Sequence, residues 1–308
     1  LLNLLRGSGP AGLAGIGAIQ RFGRGRLVRP MLGVAGPAIQ EYARCHALEW
    51  IDDPTNIDTR FDRNYLRQEI MPRLADRWPA VSERLNRSAA LAAEAAELLG
   101  ELAEIDLAAC GQPARLDMAA MQRLSVARQR NLLRRAVRLC GLPPMPSTRL
   151  DQAVQEVLPA REDAQPLVCW QGGELRRYRE ALYLMPPLPE PGTSPPELLR
   201  PGAIVAAGSA LGALALHESR AGGIRPALAE AGLGIRFRAG GEQIRIDDHT
   251  RKLKKLMQEA GVLPWMRDRI PLLYAGGELV AVGDLWVSSA HHGVPGFRVS
   301  WLNRPVIR

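Results

Sequence analysis

The spacing of apolar residues predicts a helical region in the middle of the chain. Residues 84–110 are dominated by Ala, Leu and Glu, which are strong helix formers, and a second helix is predicted after Asp117. Strands are predicted at 167–170 and 175–184, where apolar runs lie on either side of Gly172-Gly173. We therefore expect helices followed by a hairpin in this region.

The pattern changes after residue 201 and predicts a compact α/β module. Residues 235–246 alternate apolar side chains with arginines around Gly240-Gly241, which predicts a hairpin with one basic face. An amphipathic helix is predicted to begin near Thr250, which is an N-cap residue type, and to end at Gly261. A second hairpin is predicted over 272–282.

These segments predict three domains. Residues 186–201 hold seven of the 24 prolines, so they are predicted to form a stiff linker. The remaining boundaries give a first domain at 1–80, a mostly helical domain at 81–185 and the α/β module at 202–308.

The charge of the chain favours an anionic partner. The net charge is +8, although 37 of the 40 basic residues are Arg, which genome composition alone could explain. The three lysines are all confined to positions 252–255, and that concentration asks for a local explanation. No apolar run approaches the roughly 18 residues that a membrane helix needs. A membrane role is therefore not expected, and the scattered cysteines and histidines predict no metal site.

Two groups of basic residues are candidate RNA contacts. The first lies on one face of the second predicted helix, with Leu132, Ala136 and Leu139 opposite, and consists of Arg123, Arg130, Arg134 and Arg138. The second surrounds a predicted buried stripe of Leu253, Leu256 and Met257, and consists of Arg251, Lys252, Lys254, Lys255, Trp265, Arg267 and Arg269. Each group could bind RNA phosphates, and in the second group a base could stack on Trp265. The alternative for each group is an ordinary solvated helix face.

Turn residues and cations are also combined near residue 60. Trp50, Asp53 and Asn56 lie in a predicted turn, and Arg63, Asn64 and Arg67 follow in a predicted helix. Arginines four apart share a helix face and can hold a phosphate or an adenylate. A capped helix paired with Asp58 and Asp62 remains the alternative.

A glycine motif at the start of the chain does not predict a dinucleotide site. Residues 7–12 match G-x-G-x-x-G, but they follow an apparent helix end rather than a strand, and no acidic residue stands about 20 positions later. A glycine-rich turn of this kind can still present backbone N–H groups to an anion.

Taken together, these segments resemble the tRNA(Ile)-lysidine synthetase family, in order, from the first residue to about 290. The matching motifs are Leu-Asn-Leu-Leu-Arg-Gly-Ser-Gly at 2–9, Arg-Pro-Met-Leu at 29–32, Asp-Pro-Thr-Asn at 53–56, Arg-Asn at 63–64, Arg-Lys-Leu-Lys-Lys at 251–255 and Pro-Trp-Met-Arg-Asp at 264–268. The resemblance implies a fold of α/β plus α+β type. Its parts would be the remnant of a Rossmann-like ATP-pyrophosphatase domain, the helical domain and the small α/β domain.

The resemblance also implies a reaction and its substrates. ATP, with Mg²⁺, would adenylate C2 of the wobble cytidine in tRNA(Ile) bearing a CAU anticodon, and the ε-amine of free L-lysine would then displace AMP. The resulting lysidine changes decoding from AUG to AUA. The family implies a cytoplasmic enzyme without a prosthetic group, and a homodimer is left open.

Residue roles follow from the same resemblance. The residues implied to border the catalytic pocket are Arg6, Gly7, Ser8, Gly9, Arg63, Asn64 and Arg67; those implied to bind substrate are Trp50, Asp53 and Asn56. The two basic groups described above are implied to hold the tRNA.

One motif of the family is missing. The ATP-binding signature Ser-Gly-Gly-x-Asp-Ser does not occur in the 308 residues, so we expect an N-terminally truncated chain that is inactive alone. A non-catalytic RNA-binding protein is one alternative. A tRNA-thiolating ATP-pyrophosphatase is another, although the scattered cysteines argue against it.

Overall fold

The chain forms two compact units in the computed structural model. The structure describes residues 1–51, 53–161, 164–188, 190, 195, 197–208, 211–247 and 249–307. One unit comprises residues 1–112 and 123–136, and the other comprises 113–122 and 137–308. This division differs from the three predicted domains, whose boundaries remain a prediction.

The elements in chain order begin as follows. They are α1 (Leu2–Leu5), α2 (Pro10–Leu13), β1 (Ile19–Phe22), β2 (Gly25–Val28), α3 (Gly36–Cys45), a 3₁₀ helix (Pro54–Ile57), α4 (Asp62–Tyr65), a π-helical segment (Leu66–Ile70), α5 (Met71–Arg77), α6 (Val81–Cys110), β3 (Gly111–Gln112), β4 (Arg115–Asp117), α7 (Met118–Arg123), α8 (Val126–Leu139), α9 (Ser147–Gln152) and a second π-helical segment (Ala153–Val157).

Strands dominate the rest of the chain. The elements are β5 (Leu167–Trp170), β6 (Gly173–Tyr178), β7 (Ala181–Met185), β8 (Ile204–Ala206), β9 (Ala213–Ser219), β10 (Gly223–Ile224), α10 (Pro226–Ala231), β11 (Gly234–Arg236), β12 (Gln243–Ile246), β13 (His249–Lys252), α11 (Leu253–Glu259), a 3₁₀ helix (Pro264–Arg269), β14 (Leu272–Ala275), β15 (Glu278–Val282), β16 (Trp286–Val287), a 3₁₀ helix (Ser289–His291), β17 (His292–Gly293) and β18 (Gly296–Leu302).

The first unit buries its apolar residues where α6 and α8 lie. Ala103 and Cys110 of α6, and Leu132 and Leu133 of α8, are all 0% exposed. Among the described residues before Ala103, none is buried. The predicted helix at 84–110 is confirmed, because α6 spans Val81–Cys110.

Pro72 explains the change of helix type before α5. Proline has no backbone N–H, so it cannot donate to the carbonyl four residues earlier in a regular α-helix. The chain meets this with π-type turns over Leu66–Ile70, immediately before α5. The helical path from Asp62 to Arg77 is thereby kept.

The second unit contains the hairpin region and the C-terminal module. Strands β4, β7, β6 and β5 follow one another in one antiparallel sheet. The C-terminal sheets have the orders β17-β10-β18-β9-β8 and β11-β14-β15-β16, and β12 pairs with β13 alone. One buried cluster includes Ala181 and Tyr183 of β7 together with residues of α11, β14, β15 and β18. These parts of the second unit therefore share a core.

Several sequence predictions are wrong in detail. The strands expected to form a hairpin over 235–246 do not pair with each other: β11 pairs with β14, and β12 with β13. The helix expected to begin at Thr250 begins at Leu253, because His249–Lys252 is used as a strand. In contrast, the hairpin predicted over 272–282 is confirmed as β14 and β15.

The middle region also departs from the expected elements. The helix predicted after Asp117 is two helices, α7 and α8, and Leu139 is 44% exposed rather than buried. The hairpin at 167–184 has three strands, because Arg179, with φ +51°, makes a second turn between β6 and β7.

The predicted linker 186–201 lies partly outside the described residues. Its far end is not a free linker, since Leu199 is 0% exposed and exchanges two backbone hydrogen bonds with Leu233. Within the part of the chain that the structure describes, no helix is long and apolar enough to cross a membrane.

Candidate functional site

The turn at Arg6–Gly9 is held closed by backbone and side-chain contacts. The Ser8 N–H donates to the Asn3 carbonyl at 3.0 Å, and the Asn3 side-chain amide donates to the Gly12 carbonyl at 2.6 Å. Gly7 has φ +70°, which glycine adopts without strain. A Cβ at Gly12 would lie 2.6 Å from Ser8 Cβ. The turn is therefore compact and depends on its glycines.

An ion pair connects this turn to the candidate residues near position 63. The Arg6 guanidinium lies 3.4 Å from the Asp62 carboxylate at the start of α4. Arg63 and Arg67 follow on the same helical path and are exposed. Among the described residues, neither arginine side chain has a hydrogen bond or an ion pair. Their side chains are therefore open to solvent, and their role in binding an anionic ligand stays a prediction.

Asn64 and Asp53 have positioning roles in the neighbouring loop. The Asn64 amide donates to the carbonyls of Thr55, at 2.8 Å, and Asp58, at 3.0 Å. The Asp53 carboxylate caps the 3₁₀ helix by accepting the Thr55 N–H at 2.8 Å, and this bond lowers the pKa of Asp53. Asn64 therefore fixes the loop rather than offering a free amide.

The remaining candidates in this loop are solvent-accessible. Trp50 is 57% exposed. Asn56 uses its backbone carbonyl to accept the Gln68 amide at 2.7 Å, and its side chain is exposed. The Asp58 carboxylate accepts hydrogen bonds from the Arg60 guanidinium, and this interaction lowers the pKa of Asp58. The structure thus brings the loop and the helix together but leaves Trp50 outside these contacts.

The four arginines predicted to form one stripe in the middle region differ in their helix and in their exposure. Arg123 ends α7 and so lies on a different helix from the other three, which corrects the predicted single stripe. Arg134 and Arg138 are exposed, whereas Arg130 is half-buried and has an interaction of its own.

Two other arginines of α8 are used for stability. Arg128 pairs with Asp106, which is 0% exposed, and Arg135 pairs with Glu104. Because both acids belong to α6, these pairs attach α8 to α6. Only part of the basic character of α8 is therefore presented to solvent.

The three lysines at 252–255 are exposed at the start of a helix whose apolar residues are buried. Leu253, Leu256 and Met257 are at most 6% exposed, as the sequence predicted. Lys252 ends β13, and Lys254 and Lys255 lie in α11. Among the described residues, no hydrogen bond or ion pair reaches the side chains of these lysines, whereas Arg251 is paired with Glu259.

The strand preceding these lysines adds a cation that the sequence analysis did not include among the site residues. Gln243 lies directly opposite Lys252, and Arg245 opposite Thr250, so Arg245 and Lys252 share one face of the hairpin. Strand alternation could have found Arg245, but only with the β12–β13 register known.

Trp265 is not available for stacking on RNA. It is 8% exposed, and its ring makes edge contacts with Tyr183 at 5.3 Å and Tyr178 at 6.2 Å between centroids. The Arg176 guanidinium lies 5.3 Å from the same ring centroid. The predicted role of Trp265 is therefore wrong, because tertiary packing covers its ring.

Arg267 and Arg269 are likewise structural in this arrangement. Arg267 donates to the Val262 carbonyl at 3.1 Å and to the Tyr178 hydroxyl at 3.2 Å. Arg269 donates to the Trp265 carbonyl at 2.7 Å. Both side chains are half-buried, so the predicted cluster of cations reduces to the lysines with Arg245.

Three segments of the chain match known families. Residues 1–74 match the PP-loop domain, 116–183 the TilS substrate binding domain, and 233–301 the TilS substrate C-terminal domain. These matches define a protein with a PP-loop region followed by two substrate-binding modules. The match over 1–74 does not itself indicate the expected truncation.

Relatives extend the comparison over nearly the whole chain. The tRNA(Ile)-lysidine synthase of Alkalilimnicola ehrlichii is 42% identical over 305 residues, covering 97% of this chain and 68% of the relative. The enzymes of that name from Coxiella burnetii and Pseudomonas aeruginosa are each 40% identical, covering 92% and 98% of this chain and 63% and 68% of the relative. The chain belongs to the tRNA(Ile)-lysidine synthase family and spans about two thirds of these relatives.

The predicted family and enzyme class, a ligase that modifies tRNA, are therefore confirmed. The predicted mixed α/β fold is confirmed to the extent of a PP-loop domain with helical and sheet-containing regions. The PP-loop match supports the use of ATP.

Proposed function

We propose that this chain serves the ATP-dependent joining of lysine to C2 of the wobble cytidine in tRNA(Ile) with a CAU anticodon. Relatives named tRNA(Ile)-lysidine synthase and the three matched segments support this activity. The observation that carries the tRNA-binding part is the exposed lysine group on an apolar-anchored helix. Lys252, Lys254 and Lys255 are exposed while Leu253 is 0% exposed.

The lysines and Arg245 would contact the phosphate backbone of the tRNA. Ammonium and guanidinium groups that neutralise phosphates release condensed counterions, which gives affinity without reading sequence. The half-buried neighbours Arg267 and Arg269 would keep the helix in place. Arg134 and Arg138, which are exposed, are proposed as further phosphate contacts.

The first 80 residues are proposed to border the reacting groups. Arg63 and Arg67 are exposed cations suited to a phosphate of ATP or of the anticodon loop. Arg6, bonded to Asp62, would bring the glycine-rich turn to the same pocket border. Asp53 and Asn64 would act as positioning residues, since their side chains are already hydrogen-bonded to the backbone of the loop. Trp50 and Asn56 remain proposed substrate contacts.

The proposed chemistry has two steps that the charged residues would assist. The C2 oxygen of cytosine attacks the α-phosphate of ATP and releases pyrophosphate; the lysine ε-amine then attacks C2, and AMP leaves with that oxygen. Cations near the pocket would stabilise the charge on the transferring phosphate. Mg²⁺ would arrive with ATP as part of the substrate. The described residues include no cluster of three His, Cys, Asp or Glu that could hold a metal.

The layout of the protein belongs to the same proposal. We place the PP-loop part at 1–80, the helical tRNA-binding domain at 81–185 and the C-terminal tRNA-binding domain at 202–308, with 186–201 connecting the last two and its end packed through Leu199. The proposal also includes a cytoplasmic location and L-lysine as a substrate. Size-exclusion chromatography with light scattering would test whether the protein is a homodimer.

The test uses the complete protein encoded by the gene, with ATP, radiolabelled lysine and a tRNA(Ile) transcript bearing CAU. Label is expected in this tRNA only with ATP, and not in a transcript whose wobble cytidine is replaced by uridine. Binding without incorporation would instead support a non-catalytic RNA-binding protein. Sulfur incorporation from a labelled donor would support tRNA thiolation.

A further inference from the structure

The β1–β2 hairpin carries an arginine cluster that the proposed function leaves without a role. Residues 1–40 contain five arginines and no Asp or Glu, because the first acid of the chain is Glu41. Arg21, Arg24 and Arg26 lie on this hairpin or in its turn. The segment is therefore strongly cationic without any local acid.

The register of the hairpin brings like charges together. Arg21 lies directly opposite Arg26, and Ile19 directly opposite Val28. Residues paired across strands, and those two positions apart, share a face, so all four side chains project from the same face. Two like charges directly opposite each other destabilise a strand pair. An anion held between them would remove that repulsion.

Within the part of the chain that the structure describes, the guanidinium groups of Arg21, Arg24 and Arg26 have no acidic partner. Among the described residues, which include all of 1–51, no hydrogen bond or ion pair reaches the side chains of Arg21, Arg24 or Arg26, although the backbone of Arg21 and Arg26 is paired in the hairpin. Arg29 differs, since it donates to the Gly17 carbonyl at 3.1 Å and to the Gln20 side chain at 3.3 Å. The absence of partners is thus a feature of the cluster, not of every arginine nearby.

The hairpin is also open to solvent and concave. Every residue of β1 and β2 is exposed. A cavity of about 410 Å³ lies over the arginine face and is lined by Ile19, Arg21, Arg24, Gly25 and Arg26. An isolated two-stranded hairpin is at best marginally stable in water, so a bound partner would stabilise it.

We propose that this arginine hairpin, defined by Arg21, Arg24 and Arg26, is an additional binding site for the phosphate backbone of the tRNA. Charge complementarity selects a polyanion, and guanidinium groups form bidentate bonds with phosphate oxygens. Ile19 and Val28 would contact the sugars between adjacent phosphates. The inference rests on the proposed function, because it assumes that tRNA is the polyanion present.

The test measures binding of the 308-residue chain to a fluorescently labelled tRNA(Ile) transcript by anisotropy at several salt concentrations. The variant Arg21→Gln/Arg24→Gln/Arg26→Gln is expected to bind about tenfold more weakly, with the slope of log affinity against log salt reduced by about 2 to 3. The variant Arg21→Lys/Arg24→Lys/Arg26→Lys keeps the three charges, so it is expected to retain most of the affinity and most of the salt slope.

A matched control removes three charges elsewhere in the same unit. Arg44, Arg73 and Arg77 are exposed arginines outside the proposed tRNA-binding domains, and Arg44→Gln/Arg73→Gln/Arg77→Gln is expected to change the affinity much less. Equal losses in the two glutamine variants would mean that only net charge matters and would overturn the proposed site. An unchanged affinity in the hairpin variant would overturn it as well.

A further variant separates this inference from the proposed function. If Lys252→Ala/Lys254→Ala/Lys255→Ala loses affinity while the hairpin variant does not, the hairpin site alone is refuted. If the unmodified chain does not bind the tRNA, both proposals fail together. Circular dichroism of each variant checks whether the substitutions leave the fold intact, which is the expected result because the substituted residues are exposed.

Discussion

The rings of Trp265 and Tyr183 meet edge to face, with 5.3 Å between centroids and 73° between planes. Tyr183 lies in the segment matched to the TilS substrate binding domain, and Trp265 in the segment matched to the C-terminal domain. Arg179 adds a hydrogen bond to the Gln258 carbonyl at the end of α11, at 3.0 Å. The lysine-bearing helix is therefore attached to the β6–β7 hairpin within the second unit.

Replacing Trp265 by Ala should destabilise the second unit substantially. A large buried aromatic residue truncated to Ala costs about 3 to 5 kcal/mol, through lost apolar burial and the cavity that remains. Trp50→Ala is the matched control, because Trp50 is 57% exposed and its loss should change stability little. Urea unfolding followed by circular dichroism measures both. Equal, small changes in the two variants would contradict the buried assignment of Trp265.

Removing the three lysines should weaken tRNA binding and flatten its salt dependence. In Lys252→Ala/Lys254→Ala/Lys255→Ala, the slope of log affinity against log salt should fall by about 2 to 3, roughly one unit for each lost phosphate contact. Anisotropy titrations at several salt concentrations give this slope. The corresponding Arg triple variant keeps the charges and should behave like the unmodified chain. A slope that stays unchanged in the Ala variant would remove the lysines from the tRNA contact surface.

Local patterns were sufficient to predict elements whose contacts are local. The Ala-, Leu- and Glu-rich run became α6, and the glycine pair at 276–277 became the turn between β14 and β15. The apolar stripe of α11 was also predicted correctly, because helical periodicity determines which side chains share a face. The three lysines followed from the same periodicity.

Contacts between distant segments could not be predicted in this way. Alternation over 235–238 predicted a strand close to β11, but not that its partner would be β14 rather than β12. Trp265 looked like an exposed aromatic among cations, since Tyr178 and Tyr183, which cover it, are distant in sequence. Thr250 resembled an N-cap, yet pairing with Arg245 made it part of a strand. In each case a long-range partner overrode the local preference.

Asn64→Ala should impair lysine use more than it impairs folding. The variant loses the amide bonds to the Thr55 and Asp58 carbonyls, which should cost about 1 kcal/mol of stability and release the loop at 53–58. If the proposed substrate contact of Asn56 in this loop is with lysine, the KM for lysine in the complete protein should then rise, with a smaller change in kcat. Asn131→Ala is the control. The Asn131 amide likewise donates to a backbone carbonyl, that of Leu99, but it lies outside the loop. A similar rise in the lysine KM in both variants would show a general stability effect and not a positioning role.

The carboxylate of Glu242 should make the stability of the C-terminal module depend on pH. Burial alone would raise its pKa, but backbone N–H groups, including those of Gly240 and Ala239, and the charge of Arg238 together lower it below 4.5. A pKa lower in the folded state than in the unfolded state gives stability that is fully present above the unfolded value. That stability is lost as the pH falls through the folded value.

Glu242→Gln should therefore be less stable than the unmodified chain at pH 7, and the difference should shrink as the pH is lowered below about 4. The reason is that protonation removes from the unmodified chain the same charge that the substitution removes. Urea unfolding at pH 7, 5, 4 and 3.5 measures the difference. Glu230→Gln, in which an exposed carboxylate of α10 is replaced, controls for the change in net charge that the substitution makes. A gap between Glu242→Gln and the unmodified chain that widened towards acid would contradict the lowered pKa.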